Sequence, residues 1–179
     1  LDDTHLEQLA KLTAMRGLLL RGSFSKRGIT AIAQLPHLHL LSLHNHTLTD
    51  ADLQPLEKMG GLTTLELQGK ALTTDTVHIV SRLPHLRHLA LLDLQVGDQG
   101  VSALSRMLTL TSLTLRSAHI TDAVARALAP LQKLVELRLQ GAGIQDQGLR
   151  HLTGLPHLQA LTLRGTSLTD EGMPHLCAI

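Results

Sequence analysis

The sequence predicts an α/β solenoid, a stack of short strand–turn–helix units whose strands align as one parallel sheet. Three observations predict it. A set of apolar positions recurs every 24 residues along most of the 179-residue chain. Within each unit, two leucines separated by one residue give the period of a strand, and later apolar residues three apart give that of a short helix or 3-10 turn. The core is also made almost wholly of Leu: there is no Trp or Tyr, and Phe24 is the only Phe. An ordinary globular core of this size draws on several aromatics for buried area, so many copies of one small packing unit are expected instead.

The register begins cleanly at Leu38, Leu41, Leu43, Leu48, Leu53, Leu56 and Met59. One period on stand Leu62, Leu65, Leu67, Leu72, Val77, Val80 and Leu83, and the last pass reads Leu158, Leu161, Leu163, Leu168, Met173, Leu176 and Ile179. A copy shortened by one residue near Ser23 precedes these, with Met15, Leu18, Leu20, Phe24, Ile29, Ile32 and Leu35 in the same positions. Leu1, Leu6, Leu9 and Leu12 fit the second half of a repeat. The expectation is a single domain over residues 1–179, with a partial repeat at 1–14 and full repeats starting near 15, 38, 62, 86, 110, 134 and 158. The chain does not start with Met, so a piece of a longer protein is expected. Stacking makes one continuous core that no unit builds alone.

The unit L-x-x-L-x-L-x-x-x-x-L-T-D-x-G-L-x-x-L-x-x-L-x-x resembles the leucine-rich repeat family over the whole chain. Its Thr-Asp-x-Gly-Leu segment looks like a bacterial subtype and is similar to the repeats of F-box-type proteins. The resemblance implies a right-handed horseshoe or arc with the parallel sheet on the concave face and helices or 3-10 turns on the convex face. It further implies a partner protein bound on the concave face, and a role as the recognition part of a larger protein such as a bacterial effector or a ubiquitin-ligase subunit. One column departs from the family pattern. Where Asn, Cys or Thr usually secures the turn, this chain has Ser23, His46, Lys70, Leu94, Ala118, Ala142 and Thr166, and its only Asn, Asn45, is one place off. The turn is therefore expected to rest on backbone bonds, water or Thr and Ser.

Asp recurs before the helical half at Asp3, Asp50, Asp98, Asp122, Asp146 and Asp170, with Gly two places after this column at Gly28, Gly100, Gly148 and Gly172. Helix N-capping and a favourable helix dipole account for such a column better than a bound cation does. Leu-Pro-His recurs at residues 35–37, 83–85 and 155–157, where Pro ends the helix and sets the chain extended for the next strand.

The variable residues flanking the strand leucines face outward and are, by the resemblance, the ligand surface. Arg116, Arg138 and Arg164 lie on consecutive repeats with Glu136 nearby, and Arg favours interfaces and bidentate carboxylate contacts. His44, Glu66, Gln68, Leu92 and Gln140 complete the expected partner-binding set, and Leu19, Leu40 and Ala90 with Leu92 form a broken apolar patch. The competing reading of the arginine row is a solvated face with Glu136 paired to Arg138 or a neighbour. Alternatives to protein recognition are a structural spacer, or an anionic ligand or nucleic acid on that row.

Other functions have less support. The net charge of +1 lacks the basic excess of nucleic-acid or membrane-surface proteins. No apolar run is long enough for a membrane-spanning helix. Of the 12 His residues, the pairs His37/His39 and His44/His46 offer two metal ligands but no third at a fixed spacing. No catalytic motif is present, so neither enzyme activity, a metal nor a cofactor is expected. The lone Cys177 permits no intrachain disulfide, which favours an intracellular protein, or one delivered into a host cell, over a disulfide-stabilised extracellular one. The sequon Asn45-His46-Thr47 is weak evidence of glycosylation. Neither end carries an obvious polar cap, which raises end-to-end self-association through the terminal repeats.

Overall fold

A computed structural model describes residues 1–141 and 143–179; Ala142 of the turn column lies outside the described residues. Seven five-residue strands form one parallel sheet in chain order: β1 (Gly17–Arg21), β2 (Leu40–His44), β3 (Thr64–Gln68), β4 (His88–Leu92), β5 (Ser112–Arg116), β6 (Glu136–Gln140) and β7 (Ala160–Arg164). Gly17 lies opposite Leu40, and Leu40 opposite Thr64, so the first step is one residue shorter than the next, as the deletion near Ser23 requires. The sheet is open and each strand pairs only with its neighbours in sequence.

Alternation within each strand sends two leucines inward, and stacking them in register makes two continuous apolar columns. From Leu41 to Leu139 these leucines are at most 4% exposed. Short helices cover them from the other side: α1 (Asp3–Leu9), α2 (Lys26–Ile32), α3 (Asp50–Leu53), α4 (Thr74–Val80), α5 (Asp98–Ser102), α6 (Asp122–Leu128), α7 (Asp146–Leu152) and α8 (Met173–Leu176). Residues 54–58, 103–106 and 170–172 are 3-10 turns. The two ends of the stack differ. Leu6 of α1 is fully buried, whereas Leu161, Leu163, Leu168, Leu176 and Ile179 are only partly covered. After α2, α4 and α7, Pro36, Pro84 and Pro156 each open a turn, and the next strand starts four residues later. The chain is thus bent at these prolines and becomes extended only beyond them.

The aspartate column works differently from the expectation. The N-cap is the residue before this column, which holds Lys26 and Thr74 in two repeats: the hydroxyls of Ser25, Thr73, Thr121 and Thr169 accept from backbone N–H groups of their own helices. The Asp is the first helical residue, and its carboxylate reaches the helix start of the following repeat. Asp3 accepts from the Ser25 N–H and hydroxyl, both at 2.7 Å, and from the Gly28 N–H at 3.1 Å. Asp50 accepts from the N–H and hydroxyl groups of both Thr73 and Thr76. Asp98 and Asp146 hold Thr121 and Thr169 in the same way, and Asp122 holds the Gln145 N–H. The first turn of one helix thus braces the N-cap residue of the next, and Asp3 and Asp50 also accept from a free N–H of its first turn.

This carboxylate also explains the glycine column. A Cβ on Gly28 would lie 2.6 Å from Asp3 Oδ1, and one on Gly148 or Gly172 would run into Asp122 or Asp146. Where Lys26 replaces the Asp, Asp52 of the next helix takes over, accepting from the Thr49 N–H and hydroxyl and from the Lys26 N–H.

Candidate recognition surface

The turns that follow the strands set the rim of the concave face. Asn45 is 3% exposed; its amide donates to the Phe24 carbonyl at 2.8 Å and its Oδ1 accepts from the Thr47 N–H and hydroxyl. Ser117 does the same work three repeats on, donating to the Val96 carbonyl and accepting from the His119 N–H. Asn45 therefore secures the turn from the neighbouring position, and its amide is committed inside the fold rather than presented as a sequon.

In the same place of their repeats, Gly141 and Gly165 have φ of +72° and +68°, and Asp93 shares that left-handed conformation at +61°. A non-glycine residue there is uncommon, and Asp is among those that tolerate it through local hydrogen bonds. Asp93 is fixed from both sides. Arg116 donates to it bidentately, Nε to Oδ1 and Nη2 to Oδ2, each at 2.8 Å, and Gln68 Nε2 donates to Oδ2 at 2.8 Å. The Arg116 guanidinium, and after it the Gln68 amide, hold the Asp93 carboxyl below the usual carboxylate range.

The expected partner-binding residues all lie on outward-facing strand positions, but their chemistry is not that of a free arginine row. Arg116 is bound to Asp93 and is about one-third exposed. Arg138 pairs with Glu136 at 2.6 Å, and Glu136 also accepts from the Ser112 hydroxyl. Only Arg164, on β7, has no ion pair among the described residues. His44 Nε2 donates to Glu66 across β2 and β3 at 2.7 Å, and its Nδ1 is buried without a partner. Gln140 is exposed, Leu92 half-buried, and Leu19 stands 73% exposed on β1. Sequence spacing brought these residues to one face but missed Asp93. The signal was its place in a column that otherwise holds Gly at four of seven repeats: Gly22, Gly69, Gly141 and Gly165.

His46 lies beyond the end of β2, so the His44/His46 pair is not a same-face strand pair. Among the described residues no three His, Cys, Asp or Glu side chains gather as metal ligands. Among the described residues no helix is long and apolar enough to cross a membrane.

Seven parallel strands alternating with short helices in a fixed repeat register define a leucine-rich repeat solenoid. The family model described as Leucine Rich repeat matches residues 131–152 and 154–177. With the strand register, this match supports a leucine-rich repeat fold for the chain. Among solved structures it is similar to an internalin (inlF) of Listeria monocytogenes, at 24% identity and a TM-score of 0.75, covering 97% of this chain and 48% of that one. It is also similar to internalin C2 of the same organism, at 23% identity and a TM-score of 0.72, covering 90% and 67%. These likenesses show the fold, and the chain spans about half the length of the first. No curated protein sequence matches it.

Proposed function

We propose that this chain is a protein-recognition module that binds its partner on the concave sheet face, as the reading part of a larger protein. The family's fold is a common protein–protein interaction scaffold. The observation that carries the reading is the organisation of that face. Its polar residues are cross-linked in pairs and triplets before any partner arrives: Arg116 with Asp93 and Gln68, Arg138 with Glu136, His44 with Glu66. Side chains held this way lose less conformational freedom on binding, which favours a specific surface. The same pairing counts against nucleic acid, because carboxylates already offset two of the three row arginines. A purely structural spacer has no use for such a face. The role of a bacterial effector or a ubiquitin-ligase subunit is the finer form of this proposal.

The test is charge reversal at the two row arginines that do not support the Asp93 clamp, Arg138→Glu with Arg164→Glu. Recovery of the partner in a pull-down is expected to fall about tenfold or more, the order set by opposed charges at an interface. Full recovery would show that the partner is bound elsewhere.

A further inference from the structure

On the rim beside the concave face, Lys70, Asp93, Arg116, His119 and Gln140 line an open groove of about 400 Å³ that spans four repeats. Its floor is the Asp93 node. Arg116 spends its Nε and Nη2 on the two oxygens of Asp93, so the Asp93 charge is offset and the guanidinium plane is fixed. Arg116 Nη1 has no partner among the described residues, and neither does the Lys70 ammonium or the side chain of His119 or Gln140. Lys70, His119 and Gln140 are exposed. The free groups are thus the Lys70 charge, the remaining guanidinium edge, an amide and an imidazole. Backbone held in a sparsely populated conformation by surrounding bonds is a recurrent feature of binding sites, and Asp93 is the one non-glycine described residue with positive φ.

We propose that this groove binds an acidic segment of the partner protein, a carboxylate lying between Lys70 and the Nη1 edge of Arg116. A carboxylate accepts from both donors and removes the uncompensated positive charge, whereas a basic segment would meet Lys70 unscreened. The groove opens along the rim and admits an extended chain. The inference rests on the protein-recognition reading only in taking the ligand to be part of a protein.

The test uses the isotopically labelled chain and three probes: acetyl-tetraglutamate amide, acetyl-tetralysine amide and a twelve-nucleotide oligothymidylate. Tetraglutamate is expected to shift the backbone amides of Lys70, Gln95, Ser117 and His119 saturably. Lys70→Glu, a change at an exposed side chain that leaves the amide spectrum otherwise folded, is expected to weaken it by about tenfold or more. The proposal is overturned if tetraglutamate leaves these amides unmoved. Equal shifts in Lys70→Glu, shifts centred on the convex lysines Lys11 and Lys26, or tighter binding of oligothymidylate at the same amides overturn it as well. No partner is present in this titration. A negative result together with partner loss in Arg138→Glu/Arg164→Glu therefore removes the groove and leaves the concave-face reading standing, and the reverse pattern separates them the other way.

Discussion

Leu113→Asp is expected to destroy the folded array around β5, while Leu108→Asp leaves it intact. Leu113 is fully buried on the central part of the sheet, packed between the matching leucines of β4 and β6. Removing it forfeits about 1.5–3 kcal/mol of apolar burial. A carboxylate left there without a partner adds a penalty of about 3–5 kcal/mol. Together these approach the whole stability of a typical domain, about 5–15 kcal/mol. Because each repeat leans only on its neighbours, the loss should spread outward from β5. Hydrogen exchange is the suitable readout, with protection of the β5 to β7 amides expected to vanish. Leu108 is 56% exposed, so the same substitution there should change stability by no more than about 0.5 kcal/mol. Similar melting of the two variants would contradict the stacked core.

Asp50→Ala is expected to cost about 2–4 kcal/mol, the order for deleting a charged hydrogen-bond acceptor from buried partners. Its four bonds hold the N–H and hydroxyl groups of Thr73 and Thr76, and Thr76 is fully buried, so water cannot replace them without opening the repeat. Equilibrium urea unfolding measures the loss, and a wild-type midpoint would contradict the inter-repeat cap. The same carboxylates make the fold sensitive to acid. Burial pushes the Asp50 carboxyl up, but the bonds from Thr73 and Thr76 together outweigh it and leave it below its ordinary value of 3.8. The Ser25 hydroxyl lowers Asp3, and the Thr169 hydroxyl lowers Asp146. Folded values below the unfolded ones mean that the stabilisation is complete above the ordinary carboxylate range and is lost as pH falls through and below 3.8. Asp50→Ala should therefore lose less stability between pH 5 and pH 3 than the unaltered chain, the span of about two units that brackets that range.

The repeat register, the seven strands and the inward leucines were legible because each rests on a local period that stacking preserves. Leu41, Leu65, Leu89, Leu113 and Leu137 stand opposite one another as their 24-residue spacing requires. What the sequence left obscure lies between repeats. Asp at a helix start suggests a cap for its own helix, yet the short helices turn that carboxylate toward the next unit. The clue was Gly28, 25 residues after Asp3, and Gly148 and Gly172, each 26 residues after an Asp, where any side chain would displace the carboxylate. The arginine row illustrates the same limit. Spacing placed Arg116, Arg138 and Arg164 on consecutive strands, but whether an arginine is free depends on Asp93 and Glu136, one of which acts from a turn whose backbone is left-handed.

Recognition through the concave face is tested most directly by placing a photo-crosslinking residue at Thr114, in the middle of that face on β5, and in parallel at Arg106 on the convex side. The partner protein should be captured covalently from Thr114 and not from Arg106. Capture from Arg106 with none from Thr114 would place the partner on the helical side and contradict the assignment.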